Sequence, residues 1–183
     1  MDQSDDLHKE RMAALLKVVY ARTYCLKDDI VPAKIEEGLY LGSVGAAKNK
    51  SILKSLNVTH VLTVASSLPP AHPIDFTYKI VDVTDKRDVN IAQFFDECFS
   101  FIDEARRTGG VLVHCFLGKS RSVTIVVAYL MKKHGLSLSE TLKFVKSKRD
   151  VAAPNSGFML QLQNYEKSLQ VGLQCRSLIQ ESY

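Results

Sequence analysis

Val111-Leu-Val-His-Cys-Phe-Leu-Gly-Lys-Ser-Arg-Ser122, followed by Val123-Thr-Ile-Val-Val-Ala-Tyr-Leu-Met131, decides how this chain is read. A short apolar run enters a loop of small and polar residues, and the loop leads straight into a longer apolar run. The first run reads as a buried strand and the second as a buried helix. A strand–loop–helix passage makes an anion site, because free backbone N–H groups and the positive end of the helix dipole converge on one point. Gly118 lets the loop curl and approach an oxyanion closely. Phe116, Leu117, Gly118, Lys119 and Ser120 are the residues whose backbone would line that cradle.

Cys115 in such a cradle sits in a positive field, where thiols ionise more readily than free ones. It therefore reads as a nucleophile that needs no separate base. Arg121 offers a planar fork able to hold two oxygens of a phosphate, where a lysine would give a point charge. Ser122 can donate a hydrogen bond to the sulfur and improve it as a leaving group. His114 reads as a residue that orients the cysteine backbone. The bland alternative is a structural cysteine closing a strand. A lone Cys-x5-Arg arises easily by chance, but the added His, Gly and Ser at fixed offsets do not.

Outward from this segment, β-rich runs lie at residues 38–42, 59–65, 78–83 and 110–114. Helical patterns lie at 47–56, 91–108, 122–134, 138–148 and 156–169. Strands alternating with helices imply an α/β domain, a sheet with helices packed over it. Its expected span is residues 31–170. Residues 1–30 form an N-terminal extension and 171–183 a C-terminal tail.

The chain has 183 residues, 46% hydrophobic and 24% charged, an ordinary globular balance. Its net charge of +4 is too mild to imply nucleic-acid binding. Between Lys9 and Lys27, however, Lys9, Arg11, Lys17, Arg22 and Lys27 are opposed only by Glu10. Met12, Leu15, Leu16, Val19 and Thr23 recur there at helical spacing, which makes the stretch a basic amphipathic helix. Packing on the domain is one reading. Binding calmodulin is a second, and docking to a kinase a third. Cys25, Cys98, Cys115 and Cys175 are too few for a disulfide scaffold, and no CxxC pair exists to hold zinc. The start is acidic and polar, unlike a signal peptide, and no apolar run is long enough to span a bilayer. The expectation is a protein of the cytoplasm, the nucleus or both, with free thiols, no metal and no other cofactor.

His114-Cys-Phe-Leu-Gly-Lys-Ser-Arg-Ser122 resembles the His-Cys-x5-Arg-Ser signature of cysteine-based protein phosphatases. Ala128-Tyr-Leu-Met131 and Pro154-Asn-Ser-Gly-Phe158 are similar to the dual-specificity branch, which includes MAP kinase phosphatases. Gly38-Leu-Tyr-Leu-Gly-Ser43 and Thr59-His-Val-Leu-Thr-Val64 resemble the small plant members. The resemblance covers about residues 31–170. It implies a mixed, mostly parallel sheet of about five strands flanked by helices. It also implies hydrolysis of phosphotyrosine and phosphoserine or phosphothreonine through a phosphocysteine, on phosphorylated proteins such as MAP kinases.

Such hydrolysis needs a proton for the leaving oxygen and then a base for water. Candidates cluster in Asp82-Val-Thr-Asp-Lys-Arg-Asp88. The resemblance places the acid at Asp85, a set distance before Phe94-Phe95. Asp82 alternates with Val81 and Val83 as a strand residue, and Asp88 is the fallback. Asn155 reads as a helix N-cap, and the resemblance adds hydrogen bonding to the catalytic loop. Lys146, Lys148 and Arg149 read as a solvated helix end or, at Arg149, as a second phosphate pocket. Cys98 lies among phenylalanines and reads as core filler. Rival readings are a phosphoinositide phosphatase, disfavoured by a single loop lysine, a rhodanese-like sulfur carrier, and a non-catalytic phosphoprotein-binding module.

Overall fold

The computed structural model describes residues 29–180, with side chains as far as Val171. The basic stretch 9–27, and with it the calmodulin reading, lies outside the described residues. Five strands form one sheet: β1 (Ala33–Glu36), β2 (Leu39–Gly42), β3 (Val58–Val64), β4 (Thr77–Val81) and β5 (Gly110–His114). Their order across the sheet is β1-β2-β5-β3-β4. Only the β1–β2 pair is antiparallel, and every other neighbour is parallel. This is the mixed, mostly parallel sheet expected.

A parallel sheet is covered on both faces, so alternate residues of one strand enter different cores. Leu39, Leu41, Leu62, Val64, Val111 and Val113 point into the larger core. It is completed by α3 (Phe95–Thr108), α4 (Arg121–His134), α5 (Leu138–Lys148) and α6 (Ser156–Gln180). Tyr40, Val58, Val61 and Leu112 point the other way. There they meet Ala47 and Leu53 from two short helices, α1 (Val44–Lys48) and α2 (Lys50–Ser55). The sequence pattern suggested one helix over 47–56. Asn49 divides it, because its side chain accepts a hydrogen bond from the Ile52 amide and so caps a new helix.

The central helix α4 is buried along every residue from Ser122 to Met131. An apolar surface on all sides is what a helix needs to sit inside a domain rather than on it. Its N-terminus lies at the end of β5, and this juncture is where the loop Cys115–Ser120 is held. No helix among the described residues is long and apolar enough to cross a membrane.

Candidate active site

The loop between β5 and α4 takes its shape from close approaches that only particular residues permit. Gly118 has φ +61°, and a Cβ there would stand 2.4 Å from the Gly42 carbonyl oxygen and 2.6 Å from Arg149 Nη2. Both the left-handed backbone and the lack of space call for glycine. Arg149 braces the same loop from outside: its Nε donates to the Gly118 carbonyl at 2.6 Å and its Nη2 to the Leu117 carbonyl at 2.9 Å. Two further donors meet the Asp29 carboxylate at 3.1 and 2.6 Å.

This corrects two expectations for Arg149. The side chain is 7% exposed, so it is no solvated helix end. Four of the five N–H donors of its fork are engaged by two loop carbonyls and one carboxylate, so it presents no open fork to a second phosphate.

Cys115 lies at the bottom of a cavity of about 240 Å³ lined by Asp85, Phe116, Leu117, Lys119, Ser120 and Arg121. The cysteine is 1% exposed, and its Sγ accepts a hydrogen bond from Ser122 Oγ at 3.2 Å. His114 is buried beside it. Its Nδ1 faces the Cys115 carbonyl at 3.2 Å and its Nε2 the Thr63 hydroxyl at 2.9 Å. A carbonyl can only accept, so Nδ1 carries the proton and Nε2 accepts from Thr63. Burial pushes the imidazole down to about 4, so it is neutral near pH 7 and orients the cysteine backbone.

Ser120 occupies the N-cap position of α4 and yet caps nothing. Its hydroxyl donates to Asp85 Oδ1 at 2.7 Å and accepts from the Asn155 amide at 3.1 Å. The first amides of the helix therefore have no serine oxygen against them and are open to an anion. Arg121, 12% exposed, reaches the Val83 carbonyl through Nη1 at 3.2 Å. Its Nε has no hydrogen-bond partner and stands 3.9 Å from Asp85 Oδ2. A buried N–H left unpaired costs about 1–3 kcal/mol, and a phosphoryl oxygen in the cavity is a fitting acceptor.

Of the three aspartates, only Asp85 lines the cavity. β4 ends at Val81; Asp82 and Asp88 are exposed and lie outside the lining. The Asn155 side chain caps a helix and otherwise reaches Asp85, while only its backbone amide contacts the Cys115–Ser120 loop, at Ser120 Oγ. Its Oδ1 accepts from the Phe158 amide at 3.0 Å, capping α6, and its Nδ2 donates to Asp85 Oδ1 at 2.8 Å. Cys98 is fully buried on α3, where burial first and Glu97 second push its thiol up to about 12. Among the described residues, no group of three or more His, Cys, Asp and Glu side chains is placed to hold a metal ion.

Sequence reasoning gave no role to Thr63, Gln161 and Gly157, although Thr63 and Gly157 lie in stretches that carry the family resemblance; in the fold they hold His114 and the loop carrying Asp85. Each acts across tens of residues of chain, so no local spacing marks it.

Comparison with known proteins gives the family and the fold. The chain matches the family described as dual specificity phosphatase, catalytic domain, over residues 39–168. It is 67% identical over 165 residues to dual specificity protein phosphatase 1 of Arabidopsis thaliana, covering 89% of this chain and 82% of that protein. It is 46% identical over 140 residues to MAP kinase phosphatase with leucine-rich repeats protein 1 of Dictyostelium discoideum, covering 76% of this chain and 17% of that protein. The crystal structure of human DUSP28 matches its fold with a TM-score of 0.73 at 34% identity, over 76% of this chain and 95% of that one. The chain belongs to the dual-specificity protein phosphatase family and is an enzyme of that class.

Proposed function

We propose that residues 31–170 hydrolyse phosphate esters of tyrosine and of serine or threonine in proteins through a phosphocysteine on Cys115, with residues 1–30 and 171–183 as extensions. The observation that carries this reading is one cavity holding a serine-bonded Cys115 sulfur, Arg121 and Asp85 together. The thiolate attacks phosphorus, forming a P–S bond as the ester P–O bond breaks. The loop amides and the Arg121 fork hold the phosphoryl oxygens and the charge that builds on them. Asp85 gives its proton to the leaving oxygen. Its Oδ1 already accepts from Ser120 and Asn155, so the proton travels from Oδ2. In the second step Asp85 takes a proton from water, the oxygen attacks phosphorus and the P–S bond breaks. Ser122 stabilises the departing thiolate.

MAP kinases are the substrates we favour, a reading supported by the similarity to proteins named MAP kinase phosphatases. Regulation by calmodulin through residues 9–27 rests on the basic amphipathic pattern alone. The direct test offers the protein a kinase activation-segment peptide phosphorylated on both threonine and tyrosine, beside a phosphoinositide. Release of phosphate from both peptide positions, abolished by Cys115→Ser, is expected. Turnover of the lipid alone, or turnover surviving Cys115→Ser, refutes the reading.

A further inference from the structure

Thr84, Asp85, Lys86, Arg87 and Asp88 are all exposed, so between its buried anchors Val83 and Ile91 burial does little to fix the loop that carries Asp85. Polar contacts with α6 take its place. The Gln161 side-chain oxygen accepts from the Ile91 amide at 2.9 Å and from the Ala92 amide at 3.0 Å. Its Nε2 donates to the Val89 carbonyl at 2.8 Å. One amide side chain thus clamps the far end of the loop from both sides. One turn earlier on the same face, Gly157 touches the loop backbone: a Cβ there would stand 1.8 Å from the Arg87 carbonyl oxygen. Gly157 carries no positive φ, so space under Arg87 is the physical reason for it.

We infer that Gln161 and Gly157 are positioning residues for general-acid catalysis, forming a bed on α6 that holds the Asp85 loop over the cavity. The inference rests on Asp85 being the acid. A general acid has to stand within hydrogen-bond reach of the leaving oxygen, and a displacement of about 1 Å can cost about 10²-fold in rate. Neither residue lines the cavity, so binding of the phosphoryl group at Arg121 is left intact.

The dependence of rate on the leaving group separates this role from a general loss of structure. A phenyl or alkyl phosphate needs the proton, whereas a nitrophenyl phosphate leaves largely without it. Gln161→Met and Gly157→Ala are expected to lower kcat on phenyl phosphate by about tenfold or more. The same variants should leave kcat on nitrophenyl phosphate within about threefold and KM little changed on either. Placed on top of Asp85→Asn, Gln161→Met should cost nothing further, since residues acting through one group are not additive. An equal fall on both substrates, no fall on either, or full additivity with Asp85→Asn overturns the inference. Gln161→Met keeps the test open should Gly157→Ala fail to fold. If Asp85→Asn itself shows no preference for the better leaving group, the assignment of the acid fails instead.

Discussion

Replacing Arg149 with methionine keeps most of the side-chain length and removes the fork that joins Asp29 to the Cys115–Ser120 loop. Two loop carbonyls then lose their donors, and Asp29, 27% exposed, loses its partner. Removing one member of a buried ion pair costs about 3–5 kcal/mol, and the partial exposure of Asp29 places this case near about 3 kcal/mol. In a protein of this size each kcal/mol moves Tm by about 2–4 °C, so Arg149→Met should melt about 6–12 °C lower. A surface cation would cost about 0.5 kcal/mol or less. The pH dependence has a defined sign. Burial raises the Asp29 carboxyl, but hydrogen bonding and attraction from Arg149 outweigh it and hold the group below its ordinary value. A depressed carboxyl stabilises the fold above its unfolded value of about 3.9 and ceases to do so as pH falls through the folded one. The gap between wild type and Arg149→Met should therefore narrow below about pH 4.

Thermal unfolding together with vanadate inhibition is the assay. Arg149→Met should lower Tm, weaken vanadate binding, and depress turnover equally on singly and doubly phosphorylated peptides. An unchanged Tm with a selective loss on the doubly phosphorylated peptide would refute the brace and restore a second phosphate pocket.

His114 and the N-terminal segment supply two further tests. Burial lowers the His114 imidazole to about 4 against about 6.5 unfolded, so protons bind the unfolded chain first and stability should fall as pH drops from about 6.5 towards 4. Denaturant titration of wild type and His114→Gln should show the variant with the shallower slope in that window; equal slopes contradict the neutral, buried histidine. A peptide of residues 7–27 should shift calmodulin on a native gel only when calcium is present, and no shift removes that reading.

The strand–loop–helix at residues 110–134 was legible because its proposed chemistry and its fold share one contiguous stretch: the apolar runs give the elements, and the loop carries the residues we propose as nucleophile and anion site. The run Asp82–Asp88 left three aspartates open, and only the family resemblance singled out Asp85, the one that lines the cavity. The edge strand β1 was not legible, because Ala33-Lys-Ile-Glu36 carries one buried apolar residue, Ile35, and pairs along a sheet edge. Arg149 misled because a basic residue after Lys146 and Lys148 looks like a helix terminus. Its burial depends on Asp29 and on carbonyls of a loop about thirty residues away, and local charge pattern carries no trace of either. Ser120 stands where a helix cap belongs, but its hydroxyl is taken by Asp85, a partner that only the folded chain brings near. Gln161 looks like any polar residue on a helix until Val89, Ile91 and Ala92 are set against it.

Rapid acid quench of a single turnover, followed by peptide mapping, bears most directly on the phosphocysteine. A phosphoryl group on Cys115 is predicted within the burst, absent from Cys115→Ser, with its breakdown slowed by Ser122→Ala. Phosphate carried on any other residue, or full turnover with Cys115 never phosphorylated, would contradict it.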